Sequence, residues 1–237
     1  MQIRAIKSFI LRQGRLTQRQ EHALTELSQH YILPTETQAD WKKIFSCDAP
    51  VIVEIGFGMG HALISNAQAR PDYNFVGIEV FRPGIGALLA ELKAKNIANV
   101  RIFYKDATDV FKQCLPDNSL DAIHIFFPDP WPKRRHHKRR LIQPLFVQLM
   151  ARKLKIGGKL HLATDWEDYA VHMLKTLHSV KQLSNLAQPA NLQEMAAFAR
   201  SREERPQTKY ERRGQTLGHS VWDLIFEKRD SFGEDTF

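Results

Sequence analysis

The sequence has little cysteine, no long apolar run and two segments without acidic residues. Cys47 and Cys114 are the only cysteines among 237 residues. They are too few for a disulfide framework and lie outside any CxxC or Cys/His cluster, so neither a metal nor a redox site is expected. No segment approaches the roughly 18 apolar residues of a spanning helix, and the first residues lack a secretory signal. We therefore expect a soluble, cytoplasmic protein.

The absence of acids in two segments locates the positive charge. Residues 1–20 hold five basic residues, Arg4, Lys7, Arg12, Arg15 and Arg19. Residues 133–140 hold six more, Lys133, Arg134, Arg135, Lys138, Arg139 and Arg140, with His136 and His137 between them. Outside these runs 23 basic residues face 26 acidic ones, so the net charge of +8 comes from the two runs. A single run is most often a solvated face, but two acid-free runs favour binding to a polyanion.

Short apolar runs alternate with helix-length amphipathic segments, which predicts an α/β fold with a mostly parallel sheet and helices on both faces. The predicted strands are Val51–Ile55, Phe75–Glu79, Val100–Phe103, Ala122–Phe126, Lys159–Ala163 and Ser220–Glu227. The predicted helices are Gly60–Arg70, Gly84–Lys95, a short one after Asp106, Arg139–Leu154 and Trp166–His178.

A glycine-rich turn follows the first strand, where Gly56, Gly58 and Gly60 precede a helix. Glycine allows a tight turn there and lets a nucleoside or phosphate approach the backbone. A dinucleotide fingerprint would need its third glycine at position 61, which is His61. Glu54 lies inside the apolar strand, where a buried carboxylate is costly without a partner, so a role in holding a ligand or ordering the loop would explain it.

Two further acids follow the next strands. Glu79 ends the second strand 23 residues after Gly56, the separation at which an acid reaches a ribose diol in this topology. Asp106 follows the third strand, within reach of an adenine amino group; the alternative is a helix N-cap. Acids at three consecutive strand ends after a GxGxG turn resemble the nucleotide site of class I methyltransferases, which implies S-adenosyl-L-methionine as cofactor.

After the fourth strand, Pro128 and Pro130 flank Asp129 and restrict the backbone on both sides of it. Asp129 is thereby held beyond a strand end, where open α/β sheets bind ligands. The alternative is a stiff turn with Trp131 in the core. The basic octet that follows would attract phosphates to the same place.

The run FFPDPWPKRRHHKRR resembles the signature of the bacterial tRNA (guanine-N7)-methyltransferase family. The family segments EIGFGMG, GIEV, FFPDPW, ATDW and TKFE have counterparts at Glu54–Gly60, Gly77–Val80, Phe126–Trp131, Ala163–Trp166 and Thr208–Glu211. The match spans nearly the whole chain, with Tyr210 where Phe is common and Pro132 before Lys133 as departures. It implies a Rossmann-like, seven-stranded methyltransferase domain over residues 46–237, with residues 1–45 as a basic extension that contacts tRNA.

The resemblance also implies residue roles. Those expected to bind the cofactor are Glu54, Gly56, Gly58, Gly60, Glu79, Asp106 and Asp129. Asp129 would also be the catalytic residue that serves the target guanine, expected at position 46 of the tRNA variable loop. The substrate nucleotide would be held by Lys133, Asp165, Thr208, Lys209, Tyr210 and Glu211. The remaining RNA contacts are expected from the octet residues Arg134, Arg135, His136, His137, Lys138, Arg139 and Arg140. No metal, membrane or obligatory protein partner is expected.

Guanine N7 carries no proton, so methyl transfer to it needs positioning and charge stabilisation rather than a base. Other interpretations are a class I methyltransferase acting on another RNA, on a protein or on a small molecule. A non-catalytic RNA-binding protein on the same scaffold and a nicotinamide dehydrogenase are further alternatives. The basic runs disfavour protein and small-molecule substrates, the intact acids disfavour loss of catalysis, and the misplaced third glycine disfavours the dehydrogenase.

Overall fold

The computed structural model describes residues 8–9, 14–187, 198 and 220–230. Seven α-helices are present in these ranges: α1 Gln18–Tyr31, α2 Trp41–Phe45, α3 His61–Ala69, α4 Arg82–Ala94, α5 Ala107–Gln113, α6 Pro144–Lys153 and α7 Glu167–His178. The strands are β1 Val51–Ile55, β2 Asn74–Glu79, β3 Val100–Tyr104, β4 Leu120–Phe126, β5 Leu154–Thr164, β6 Leu183–Asn185 and β7 Trp222–Lys228. A 3-10 helix covers Arg134–Arg139.

The strands form one seven-stranded sheet in the order β3-β2-β1-β4-β5-β7-β6. Strands β1 to β5 are parallel, and β7 runs antiparallel between β5 and β6. Helices α1, α3 and α4 contribute to one apolar cluster, and α5, α6 and α7 contribute to the other. The predicted mostly parallel α/β sheet with helices on both faces is therefore confirmed.

From β1 the chain continues outward to β2 and β3 on one side of the sheet, and from β4 it continues to β5 on the other side. The strand order therefore reverses between β1 and β4. Open α/β sheets bind ligands at such a switch point, beyond the carboxyl ends of the strands. Because β1 to β5 are parallel, the loops after all five lie along that same edge. Glu79, Asp106, Asp129 and Asp165 are therefore on one side of the molecule.

Thr17 caps the N-terminus of helix α1 and forms a reciprocal capping box with Gln20. Its buried residues Ala23 and Leu24 belong to the cluster that contains α4. Gly86 of α4 makes this approach possible, because an ideal Cβ there would lie 2.8 Å from the Gln20 carbonyl oxygen. Helix α1 is thus packed onto the α/β core.

Two boundaries differ from the predicted ones by five residues, and helices α1 and α2 were not predicted. The helix predicted to begin at Arg139 begins at Pro144, because the basic octet forms a separate 3-10 turn and proline favours the first turn of a helix. Strand β5 begins at Leu154 instead of Lys159, and β6 was not predicted. Within the described ranges, no helix has the length and apolar character needed to span a bilayer.

Candidate active site

The glycine turn after β1 adopts a backbone conformation that side chains rarely tolerate. Gly56, Gly58 and Gly60 have φ values of +73°, +57° and +81°. An ideal Cβ at Gly56 or Gly58 would meet no atom within 4 Å, so the space beside the turn is open. Glycine is required there by conformation, and the open space leaves room for a ligand against the backbone.

Helix α4 packs directly on this turn through Gly84. A Cβ at Gly84 would lie 2.0 Å from the Gly58 carbonyl oxygen, so only glycine permits this contact. Gly84 is not among the site residues expected from the sequence. The available signal was a glycine in the first turn of a helix after β2, where it lowers helix propensity and therefore indicates a close backbone approach.

Glu79 fixes the shape of the glycine turn. Its Oε2 accepts a hydrogen bond from the Gly58 amide at 2.9 Å, and its Oε1 accepts from the amides of Val80 and Phe81 at 2.7 and 3.0 Å. A carboxylate offers about four acceptor positions, so the three hydrogen bonds leave one position, on Oε2, for a ligand hydroxyl group. Glu79 lies at the sheet edge where the sequence predicts it, and its contact with a cofactor stays a prediction.

Glu54 is buried in β1, with 4% of its surface exposed. Its Oε2 has no hydrogen-bond partner among the described residues. Burial, together with the neighbouring charge of Glu79, raises the pKa of Glu54 from 4.5 to about 8. An unpaired carboxyl in this position is costly unless a cation or donor pairs with it.

Asp106 is the N-cap of α5. Its Oδ1 accepts from the Thr108 amide at 2.8 Å and from the Thr108 hydroxyl at 2.6 Å. Asp106 therefore caps the helix, as one of the two interpretations of the sequence predicts. It leaves Oδ2 as the oxygen through which Asp106 would reach an adenine.

The turn after β4 is strained on both sides of Asp129. Phe127 and Trp131 have φ values of +52° and +46°, where bulky residues are rarely found. Such conformations cost about 1–3 kcal/mol each and persist where the surrounding structure enforces them, often at functional sites. The side chain of Asp129 is exposed at the strand edge. Trp131 is buried, as the stiff-turn alternative expects, so the functional role of Asp129 stays a prediction.

Trp131 is buried and contacts Ser8. Its indole Nε1 donates to the Ser8 carbonyl at 3.0 Å, and the Arg139 guanidinium lies 3.9 Å from the ring centre. Arg139 also donates to the Phe9 carbonyl at 3.4 Å. The indole therefore stabilises this loop and is covered by Arg139 on one face.

The basic octet divides into exposed and buried parts. Lys133, Arg134, Arg135 and Lys138 are exposed. His136 and His137 are half-buried. Burial is the main cause that lowers the pKa of His136, and the neighbouring cations lower it further. Arg140 corrects the prediction of an RNA contact: its side chain is 1% exposed and forms an ion pair with Asp168. Nothing in the charge pattern indicates that the last member of the run turns inward.

Asp165 is half-buried after β5, on the same edge as Asp129. The predicted substrate residues Thr208, Lys209, Tyr210 and Glu211 lie outside the described residues. A cavity of about 810 Å³ lies elsewhere, beside α3, and is lined by residues such as Arg70, His124 and His161. None of the predicted site residues lines it, so it is separate from the edge that carries them.

Comparison with known proteins gives a family match over most of the chain. The family model described as "Putative methyltransferase" matches residues 48–224. Curated relatives named tRNA (guanine-N(7)-)-methyltransferase include one from Alcanivorax borkumensis, 48% identical over 96% of this chain and 93% of its own length. One from Idiomarina loihiensis is 47% identical over 97% and 91%, and one from Pseudomonas putida is 49% identical over 95% and 92%.

Solved structures show the same architecture at low sequence identity. The 16S rRNA methyltransferase KamB superposes with a TM-score of 0.54 at 15% identity, over 81% of this chain and 95% of KamB. A SAM-dependent O-methyltransferase from Thermotoga maritima gives 0.51 at 15% identity, over 84% of this chain and 69% of its own. These likenesses concern the fold alone.

Proposed function

Because the chain belongs to the tRNA (guanine-N7)-methyltransferase family, we propose that it transfers a methyl group from S-adenosyl-L-methionine to N7 of a guanine in tRNA. The observation that carries this proposal is the identity of 47–49% over nearly the full length of relatives with that name. The finer expectation, also part of the proposal, is that the target is guanine 46 of the variable loop.

The residues at the sheet edge fit S-adenosylmethionine. Glu54 provides a buried carboxyl without a described partner, which suits a cationic ligand. The turn at Gly56 and Gly58 leaves open space, and Glu79 lies beside it to accept from ribose hydroxyls. Asp106 would reach the adenine through Oδ2. Bound S-adenosylmethionine supplies an electrophilic methyl group on a sulfonium.

Asp129 would orient the target guanine and stabilise charge. N7 of guanine is an in-plane lone pair without a proton, so no residue needs to remove one before attack. The methylated base gains a positive charge, which a nearby carboxylate favours. Rigid placement of Asp129 by Pro128 and Pro130 suits this role, since orientation supplies about 7–11 kcal/mol in favourable cases.

The exposed members of the octet would bind tRNA phosphates. Lys133, Arg134, Arg135 and Lys138 lie immediately after the Asp129 turn, so a bound backbone would bring its bases close to Asp129. Lys133 and Asp165 are the described residues proposed to contact the target nucleotide itself. We also propose that the protein acts in the cytoplasm, where tRNA is found, without an obligatory protein partner.

The decisive experiment is nucleoside analysis of tRNA after incubation with the protein and methyl-labelled S-adenosylmethionine. The expected product is 7-methylguanosine, and mapping of the modified position should give guanine 46. The control is a tRNA transcript with adenine at that position, which should not be labelled. Label at another base or in another RNA would indicate a different methyltransferase. Cofactor binding without transfer to any RNA would indicate a non-catalytic protein.

A further inference from the structure

Arg140 ends the basic octet, but its guanidinium points into the protein beneath the Asp129 turn. Its Nε donates to the Pro130 carbonyl at 2.9 Å, one residue from Asp129. The guanidinium also lies 4.8 Å from the centre of the Tyr169 ring. Only 1% of the side chain is exposed, so a phosphate would not reach it without displacing these contacts.

The Arg140 guanidinium also contacts α7, the helix that follows β5. Arg140 donates through Nη2 to Oδ2 of Asp168 and contacts His137 at 3.1 Å. Asp168 is three residues after Asp165 and lies in the first turn of α7. One guanidinium therefore connects the loop that carries Asp129 with the helix start that follows Asp165.

Two neighbouring contacts join α7 to Ile142, two residues after Arg140. Tyr169 accepts a hydrogen bond from the Ile142 amide at 3.2 Å, and His172 contacts the Ile142 carbonyl at 2.8 Å. The hydrogen bond from Arg140 is the main cause that lowers the pKa of Asp168, so the pair is charged at neutral pH. A buried guanidinium that lost this partner would be left with an uncompensated charge.

We propose that Arg140 is a positioning residue for methyl transfer, which sets the Asp129 turn relative to the Asp165 loop through Pro130 and Asp168. This inference rests on the proposed function. It differs from an RNA-contacting role because Arg140 acts on catalytic geometry rather than on phosphate binding. It also differs from a purely structural role because the carbonyl that it binds is adjacent to Asp129.

The test uses Arg140→Lys, which keeps the charge but loses the planar fork that serves Pro130 and Asp168 together. The single-turnover rate with both substrates saturating should fall about ten- to a hundredfold, since small misplacements at a reacting centre have effects of this size. The salt dependence of tRNA binding and the affinity for S-adenosylmethionine should not change. Rates are measured well below the unfolding transition of each variant.

A second variant, Asp168→Asn, tests the same link from the exposed partner and is less disruptive to the core. Its rate should also fall, and the double variant should lose about as much as the more affected single variant, because both act through one contact. The matched control is Glu167→Gln, which removes a charge from the same helical turn and should keep the wild-type rate.

Arg134→Gln provides the comparison for RNA binding. It should reduce the slope of log affinity against log salt by about one, as expected for one phosphate contact. If Arg140→Lys changed the salt slope in this way, Arg140 would be an RNA contact and the inference would be wrong. A folded Arg140→Lys protein with the wild-type saturated rate would also overturn it. Failure of the wild-type protein to methylate tRNA would instead contradict the proposed function.

Discussion

The buried carboxyl of Glu54 predicts that the stability of the protein depends on pH. In the unfolded chain this group ionises near 4.5, whereas in the folded protein its pKa is about 8. Between these values the folded state holds a proton that the unfolded state has released. The free energy of unfolding therefore falls as pH rises from about 4.5 to about 8 and is level above that range. Glu54→Gln removes this dependence.

The size of the effect follows from the two pKa values. At 1.36 kcal/mol per pKa unit, a rise from 4.5 to about 8 corresponds to about 5 kcal/mol. About 3 kcal/mol of this lies between about pH 5.5 and about pH 9, a range suited to urea unfolding. Over that range Glu54→Gln should gain about 3 kcal/mol of stability relative to the wild-type protein. Subtracting the two curves removes the contribution of the titrating groups that do not interact with Glu54, whereas Glu79, which does interact with it, stays in the difference.

A second experiment measures the same pH dependence of stability in the presence of ligand. Saturating S-adenosylmethionine should reduce the pH dependence of the wild-type protein, because its positive charges favour the ionised carboxyl. The variant should lack this effect. A wild-type minus variant difference that stays constant from about pH 5.5 to about pH 9 would refute the reasoning, since Glu54 would then ionise in the folded protein as it does in the unfolded chain.

Three further predictions concern the proposed activity. Glu79→Ala should weaken S-adenosylmethionine binding more than tenfold, about 1.4 kcal/mol, because both the ribose acceptor and the hydrogen bond to Gly58 are lost; unchanged affinity by calorimetry would remove Glu79 from the site. Asp129→Asn should lower the saturated single-turnover rate about a hundredfold while the fold survives, and a wild-type rate would exclude an electrostatic role. Replacing Arg134 and Arg135 together with Gln should raise the Michaelis constant for tRNA and reduce the salt slope by about two, without changing cofactor affinity; an unchanged slope would make them solvated surface.

The fold was predictable because its signals are local. Alternation of apolar runs and amphipathic segments predicted the five parallel strands, four of them to within two residues, and glycine and proline patterns located the turns after β1 and β4. The short strand β6 was missed because Leu183–Asn185 has too few residues to show a period. The start of β5 was missed because Gly157 and Gly158 interrupt its apolar pattern.

The sequence predicted which residues lie at one edge of the sheet, but it did not predict which residues their side chains contact. Charge and position alone placed Arg140 with the exposed octet residues, and only the three-dimensional path of the 3-10 helix turns it toward Pro130 and Asp168. Trp131 shows the same limit, since its indole contacts Ser8, which is 123 residues away in the chain. Contacts of such sequence separation leave no periodic signal.

The packing of α1 on α4 connects the first helix with the glycine turn after β1. Gln20 contacts Gly86, and two residues earlier in α4 Gly84 contacts Gly58 of that turn. A chain shortened to begin at residue 46 would expose this side of α4 to water and remove one of the two surfaces that hold the helix in place. Helix α1 is therefore packed as part of the α/β core. A chimera that takes residues 1–45 from one relative should need the matching α4 from the same relative to retain the shape of the glycine turn.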